Sequence, residues 1–306
     1  MKIYIQKLKN TEIFFFIAYM IFMSESILLM SFYGKYLPGQ KYVLILCVVL
    51  LVFNELLSAD KINIKTMFGL IVCLLLFVIT FSTRGYSIAG MFIFIYCARN
   101  ISFEKISKWT VHITAIMVLF IVISSFLGII QDYVYLGERV RHYLGFCYAL
   151  IPSTLIFNIT ILVIYRKNTD IKWKNIIVLF LINCLFFYFT NSRLSFGLSI
   201  LALLICMIYK YKYNYLNKPH IFYKILIFSF IICSVISFVL TILYSAGVGW
   251  MRELNSFLGN RLILGQISLL QYGVNLWGKE IPWVGNGLDY NGKRKNFIME
   301  TTETTV

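Results

Sequence analysis

The chain has 306 residues, of which 60% are hydrophobic and only 13% are charged, and its mean hydropathy is +0.80. Soluble domains carry about 25% charged residues, and a soluble fold of this length has too little interior for so much apolar surface. Composition therefore excludes that class and indicates a polytopic membrane protein. The net charge of +15 is spread over short loops, which argues against nucleic-acid binding and favours contact with anionic membrane lipids.

Nine apolar segments follow one another along the chain, and each predicts a membrane-spanning helix. The first segment is long and is not followed by a small-residue cleavage site, which favours a span over a signal peptide. The predicted spans cover residues 13–33, 42–59, 66–82, 86–98, 110–130, 143–165, 175–190, 195–209 and 222–245. Several are shorter than the roughly 20 residues of a perpendicular span, and a re-entrant segment is the alternative for residues 86–98.

The charges of the loops predict the orientation. With the N-terminus in the cytoplasm, the inner loops hold sixteen basic residues and the short outer segments hold six, which is the bias that the positive-inside rule expects. We therefore predict an all-α fold: a polytopic transmembrane helix bundle of about nine spans at residues 1–245, N-terminus inside, and a long, partly helical extracellular loop at residues 246–306. The chain ends in a polar tail without a closing span, so we expect it to be either C-terminally truncated or short for this architecture.

The seven cysteines lie inside apolar runs and include no CxxC pair. This pattern is typical of small buried hydrophobic residues, so we predict no metal site and no cofactor. The sequence also has no HExxH, GxGxxG, GxSxG or phosphate-binding loop motif, which argues against metal hydrolases, nucleotide enzymes and serine hydrolases.

Arginine is concentrated on the predicted outer side, whereas the inner loops carry mostly lysine. A planar guanidinium group binds phosphate or carboxylate through two parallel hydrogen bonds, whereas lysine acts as a point charge. The pattern therefore predicts a shared anion pocket that faces outwards, although a position at the membrane interface is an equal alternative for any single arginine. The outer arginines are Arg84, Arg139, Arg141, Arg193, Arg252 and Arg261.

The sequence GERVRHYLGF at residues 137–146 interrupts the apolar sequence at the predicted outer mouth of the bundle. Its arginines, Arg139 and Arg141, lie two residues apart, and we predict that they hold a phosphate group. For the adjacent Glu138 an ion pair with these arginines is the favoured role. The pattern does not select a general base among the outer carboxylates, which are Asp132, Glu138, Glu253, Glu280 and Asp289.

The predicted outer loop combines glycines, amphipathic runs and aromatic residues. Aromatic rings stack on sugar rings and side-chain amides pair with hydroxyls. Trp283 and its neighbour Asn286 are therefore typical of a sugar-binding surface. A membrane-interface helix with an aromatic belt is an equal alternative.

The order and placement of several short motifs resemble those of Wzy-type polysaccharide repeat-unit polymerases, which belong to the O-antigen polymerase and ligase-like superfamily. The motifs run from about residue 98 to residue 287. They are ARNISFEKI at 98–106, Arg139-x-Arg141-x-x-x-Gly145-Phe146, TNSR at 190–193, LGNR at 258–261 and WVGNG at 283–287.

The resemblance implies a metal-independent glycosyltransferase, multi-pass in the bacterial cytoplasmic membrane. It would join polyprenyl-diphosphate-linked oligosaccharides into O-antigen, capsule or exopolysaccharide on the outer face. Membrane lipids, a flippase and chain-length regulator proteins are further implied partners. The residues implied for stabilising the diphosphate leaving group are Arg139, Arg141, Arg193 and Arg261. The residues implied for binding the substrate are Arg84, Arg252, Glu138 and Trp283.

Two alternatives stay open. A polysaccharide ligase shares the arginines, but the resemblance then leads one to expect a histidine in the long outer loop, and His112, His142 and His220 all lie elsewhere. The other alternative is a non-catalytic transporter or scaffold of polysaccharide export. Few prolines and a one-sided set of arginines argue against a transporter.

Overall fold

The structure is a computed structural model in which eleven α-helices and one two-stranded antiparallel sheet are described. It describes residues 2–37, 39–57, 64–136, 139–211, 221–258, 260–275, 277, 279–280 and 287–293. For residues 2–11, 65, 169, 221–227 and 230 it describes the backbone alone. The prediction of a mainly helical, polytopic chain is confirmed, and the sheet is an addition to it.

The helices are α1 (Lys2–Leu29), α2 (Gln40–Leu57), α3 (Ile64–Ser82), α4 (Tyr86–Cys97), α5 (Phe103–Phe126), α6 (Leu150–Lys167), α7 (Trp173–Thr190), α8 (Arg193–Tyr211), α9 (Ile221–Ser245), α10 (Met251–Phe257) and α11 (Arg261–Tyr272). The strands are β1 (Val134–Leu136) and β2 (Val140–His142), and they form one hairpin between α5 and α6.

Six of the described helices are long and apolar enough to cross a membrane, which makes the chain a membrane protein by length and composition. They are α1, α2, α5, α6, α7 and α8. The other three predicted spans lie on α3, on α4 and on α9. Two of these are too short to be counted with the six: α4 has only 12 residues, and the unbroken run of described side chains in α9 covers only Ile231–Ser245.

The chain divides into two compact units, Met1–Lys210 with Pro282–Val306, and Tyr211–Ile281. In the second unit α9 packs against α10 and α11. Residues 287–293 belong to the first unit, where Leu288 donates its backbone N–H to the carbonyl of Cys147 at 2.8 Å. That residues 246–306 form an extracellular loop stays a prediction.

One end of the first unit, which we term the hairpin end, contains the β-hairpin and the residues bonded to its flanks. Here the N–H of Phe32 donates to the carbonyl of Gly145 at 3.1 Å, and the N–H of Cys147 donates to the carbonyl of Met30 at 2.9 Å. The Tyr290 hydroxyl also donates to the carbonyl of Leu29 at 3.2 Å. These bonds tie the end of α1, the segment before α6 and residues 287–293 together.

The other end of the same unit, the opposite end, is tied by charged and aromatic contacts. The Lys105 ammonium contacts the Glu12 carboxylate at 2.7 Å, and the Lys210 ammonium donates to the carbonyl of Ile171. Helices α1, α5 and α8 therefore each reach this end.

The structure corrects the predicted span 143–165, because α6 begins only at Leu150. Residues 143–147 instead form an irregular, buried segment. Leu144 and Gly145 both have left-handed backbone conformations, with φ of 51° and 81°, and such residues interrupt a right-handed helix. The apolar side chains in this segment fill the interior of the hairpin end, which is why the run resembles a span in the sequence.

Two tight turns join consecutive helices, one near Arg84 and one near Arg193. Helix α3 ends at Ser82 and α4 begins at Tyr86, and the turn between them uses a left-handed Arg84 with φ of 57°. Helix α7 ends at Thr190, and a left-handed Asn191 with φ of 48° lets α8 begin two residues later. Asparagine tolerates this conformation better than most residues.

Gly145 supplies the first testable prediction. A Cβ atom there would lie 2.6 Å from Cδ1 of Ile130 and 3.1 Å from Cβ of Ser125, at a φ of 81°. We expect Gly145→Ala to destabilise the protein by about 1–3 kcal/mol, through overpacking and backbone strain. Thermal unfolding of the purified protein in detergent measures this.

Gly69→Ala is the matched control, because Gly69 lies in α3 with no atom within 4 Å of its Cβ position. Alanine favours a helix over glycine by up to about 1 kcal/mol, so the control should melt at or slightly above the native temperature. A Gly145→Ala protein that is as stable as this control contradicts the strained, buried conformation of residues 143–147.

Candidate functional site

The hairpin carries Arg139 and Arg141 to the surface of the hairpin end. In its register Val134 lies opposite His142 and Tyr135 lies opposite Arg141. Both arginine side chains are half-buried. Residues 137–138, between the two strands in the sequence, lie outside the described residues, so the role of Glu138 stays a prediction.

The carboxylate of Asp132 fixes the hairpin to the buried segment behind it. One oxygen, Oδ1, accepts the backbone N–H of Leu144 at 2.8 Å. The other, Oδ2, lies 3.0 Å from Nδ1 of His142. A single side chain therefore bridges the strand that carries Arg141 and the left-handed turn at Leu144.

The segment behind the hairpin is among the most buried parts of the first unit. Tyr143, Leu144 and Phe146 expose 3%, 2% and 0% of their surface. Phe146 forms an isolated antiparallel bridge with Ser31. Because buried backbone groups need partners, these bonds specify one conformation, and the hairpin has a rigid base.

The same hairpin contacts the turn between α7 and α8. Nη2 of Arg141 donates to the backbone carbonyl of Asn191 at 3.4 Å. The ring of His142 lies edge-on to the ring of Phe189, with centroids 6.0 Å apart. Since Arg193 begins α8 two residues after Asn191, the guanidinium group of Arg141 lies beside the turn from which Arg193 starts, although the two residues are far apart in the sequence.

A group of hydroxyl side chains lies directly behind this place. The hydroxyls of Ser153 and Thr190 are hydrogen-bonded at 2.6 Å, and those of Thr154 and Ser195 at 3.2 Å. The Ser192 hydroxyl donates to the carbonyl of Ala149 at 3.3 Å. These bonds join the turns of α6, α7 and α8 that lie at the hairpin end, so the backbone that presents Arg193 is held by three helices.

Basic side chains are used differently at the two ends of the first unit. At the opposite end Arg99 donates two hydrogen bonds to the Glu55 carboxylate, at 2.6 and 2.8 Å, and stacks on the Tyr96 ring at 4.3 Å. This carboxylate raises the pKa of the Arg99 guanidinium. At the hairpin end, by contrast, Arg139 and Arg193 make no hydrogen bond or ion pair within the described part of the chain.

The remaining predicted arginines lie elsewhere. Arg84 is exposed in the turn between α3 and α4 at the hairpin end, where Ser87 accepts a hydrogen bond from Gln40 at the start of α2. Arg252 and Arg261 are exposed on α10 and α11 of the second unit. Trp283 lies outside the described residues. The roles predicted for Arg252, Arg261 and Trp283 stay predictions.

The second unit holds Arg261 at a well-defined helix start. Oδ1 of Asn255 accepts the backbone N–H groups of Leu262 and Ile263 at 3.0 and 3.1 Å. These are two of the donors that an α-helix leaves without partners at its N-terminus. The side chain of Asn255, on α10, thereby caps α11, and Arg261 is the first residue of α11.

Two carboxylates inside apolar helices have different surroundings. Glu55 is bonded to Arg99 at the opposite end, so an interfacial ion pair accounts for it. Glu25 on α1 is only 5% exposed, and neither of its oxygens has a hydrogen-bond partner among the described residues. Neither carboxylate lies on the hairpin.

Sequence reasoning missed His142 as a site residue. It considered Asp132 only as one of several outer carboxylates, and the two residues are ten positions apart on opposite sides of the hairpin. The available signal was the presence of both a histidine and an acidic residue beside the arginine pair. Within the described residues no group of three or more histidine, cysteine, aspartate or glutamate side chains is arranged to hold a metal ion.

Comparison of the chain with protein-family models, curated proteins and solved structures gave no match.

Proposed function

We propose that the chain is a membrane glycosyltransferase that polymerises polyprenyl-diphosphate-linked oligosaccharide repeat units into a surface polysaccharide. In this proposal the growing glycan leaves its lipid diphosphate and joins a sugar hydroxyl of the next lipid-linked repeat. The reaction takes place on the outer face of the bacterial cytoplasmic membrane. A flippase and chain-length regulators are the proposed protein partners.

The observation that carries the proposal is the meeting of Arg141 and Arg193 at the turn between α7 and α8. Arg141 reaches this turn through the Asn191 carbonyl, at 3.4 Å, and Arg193 projects from it. Arg139 lies on the same hairpin. Guanidinium groups match phosphate oxygens in geometry, so arginines on a hairpin and on the turn beside it are suited to bind one phosphate group together.

The chemistry follows from the charge of the leaving group. A diphosphate develops negative charge as its bond to the sugar breaks, and fixed cations stabilise that charge in the transition state. In the proposed site Arg139, Arg141 and Arg193 supply this stabilisation. The hydrogen bonds that Asp132 accepts and the bond that the Ser192 hydroxyl donates hold the backbone on either side of Arg141 and Arg193 in place, which limits the reorganisation that the reaction requires.

The proposed topology has nine spans and a cytoplasmic N-terminus. Contacts with α2 support counting α4 as a span and not as a re-entrant segment. Ser87, at the start of α4, contacts Gln40 at the start of α2, and Arg99, just after α4, contacts Glu55 near the end of α2, so the two helices lie side by side over their length. The hairpin end then faces outwards. The positive-inside rule favours this orientation, since the opposite end is adjacent to the lysine-rich loops.

A reporter fusion tests the proposed orientation. We expect alkaline phosphatase fused after Lys35 in the first short outer segment, or after residue 270 in the predicted outer loop, to be active, because the enzyme folds only outside the cytoplasm. A fusion after Lys167, at the end of α6, should be inactive and serves as the control. An active fusion at Lys167 with inactive fusions at the other two positions contradicts the orientation.

Alanine substitution of the arginines tests the function. In a strain that depends on this chain, we expect Arg141→Ala or Arg193→Ala to reduce the rate of polymer formation by about 100- to 1000-fold, the usual cost of removing one transition-state contact. Single lipid-linked repeats should accumulate. Gel electrophoresis of the polysaccharide and mass spectrometry of the lipid-linked pool measure both.

Two further variants sharpen this test. Arg141→Lys keeps the charge but loses the planar pair of donors, so a smaller yet clear loss is expected. Arg166→Ala, at the opposite end of α6, should leave polymer length unchanged. Accumulation of long lipid-linked chains in the Arg141 and Arg193 variants indicates a ligase instead, and normal polymer in both variants contradicts the anion site.

A further inference from the structure

The proposed transfer requires a base that accepts the proton of the attacking hydroxyl, and the arginine site contains one candidate pair. His142 and Asp132 are hydrogen-bonded at 3.0 Å beside Arg141. Their side chains are 37% and 26% exposed, so the pair is reachable from solvent and yet held in place.

The hydrogen bond determines which nitrogen of His142 is available. An ionised carboxylate only accepts hydrogen bonds, so Nδ1 of His142 carries the proton that it shares with Asp132. In the neutral ring the lone pair is then on Nε2. Within the described residues Nε2 makes no hydrogen bond.

The hairpin also places this nitrogen suitably relative to the arginines. Successive residues of a strand project to opposite faces, so Arg141 and His142 lie on two sides of β2. Both nevertheless reach the last turn of α7, at Asn191 and Phe189 respectively. A sugar carbon bound at the end of α7 would therefore lie near both the arginine that binds its phosphate and the histidine that serves as base.

We propose that His142 is the general base of the transfer and that Asp132 is its positioning residue. This inference rests on the proposed function. It adds to that function a proton acceptor, which the arginines cannot provide because a guanidinium group has hydrogen-bond donors and no acceptor.

The proposed step balances as follows. The acceptor hydroxyl oxygen forms a bond to C1 of the donor sugar, and Nε2 of His142 takes the hydroxyl proton. The bond between C1 and the diphosphate oxygen breaks, and its electron pair leaves with the diphosphate beside Arg141 and Arg193. Asp132 stabilises the imidazolium, which then releases its proton to water.

The test uses membranes that contain the full chain and lipid-linked oligosaccharides extracted from a strain that lacks it. General-base catalysis contributes about 100- to 10,000-fold, so we expect His142→Ala to lower the initial rate of polymerisation within that range. Added imidazole should raise the initial rate of the His142→Ala protein at least tenfold, because it occupies the space of the missing ring. Asp132→Asn should also lower the initial rate, and imidazole should not restore that rate. The ring of His142 is still present in this variant, but without the carboxylate it is no longer held with its proton on Nδ1.

Two controls separate a catalytic loss from a folding defect. His142→Gln retains an amide that can donate to Asp132, so the protein should keep its native amount and melting temperature and still be inactive. His112→Ala removes a histidine on α5 whose Nδ1 contacts the carbonyl of Lys108 at 2.6 Å, and it should polymerise at the native rate.

Two results overturn the proposal: native rates in His142→Gln, or no gain from imidazole in a His142→Ala protein present at its normal level. If the Arg141 and Arg193 variants are inactive at the same time, only the assignment of the base fails. If those variants are also fully active, the proposed function fails with it.

Discussion

The two hydrogen bonds of the Asp132 carboxylate are the interaction on which the hairpin end depends. They join the backbone of Leu144, in a left-handed conformation, to the ring of His142 on the strand that carries Arg141. Behind them, residues 143–147 are buried and bonded to the end of α1. An exposed hairpin of three-residue strands is marginal by itself. Here the carboxylate and the buried segment give it a fixed position.

The two ends of the first unit are held together by different kinds of bond. At the opposite end Arg99 and Lys105 are each paired with a carboxylate, and these pairs tie helices together. At the hairpin end hydroxyls and backbone groups provide the structural bonds. We propose that Arg139 and Arg193, which make no hydrogen bond or ion pair with the described residues, bind the anion at this end.

The sequence predicted the helical, membrane-embedded class because apolar length and composition alone determine it. It also predicted breaks between the spans 66–82 and 86–98 and between the spans 175–190 and 195–209, because a few polar residues separate the apolar runs there. It did not predict that α6 starts at Leu150, since YLGFCYAL at residues 143–150 has the composition of a span. The left-handed Leu144 donates its backbone N–H to the carboxylate of Asp132, twelve residues away, and no local pattern encodes such a bond. For the same reason the pairing of His142 with Asp132 became visible only in three dimensions.

The central claim is that the hairpin end binds the diphosphate of a lipid-linked oligosaccharide. An experimental structure of the purified chain with oligosaccharide-lipid extracted from cells that lack it tests this most directly. The account predicts that phosphate oxygens lie about 3 Å from the guanidinium nitrogens of Arg141 and Arg193. A diphosphate bound at the opposite end, beside Arg99 and Lys105, would contradict it.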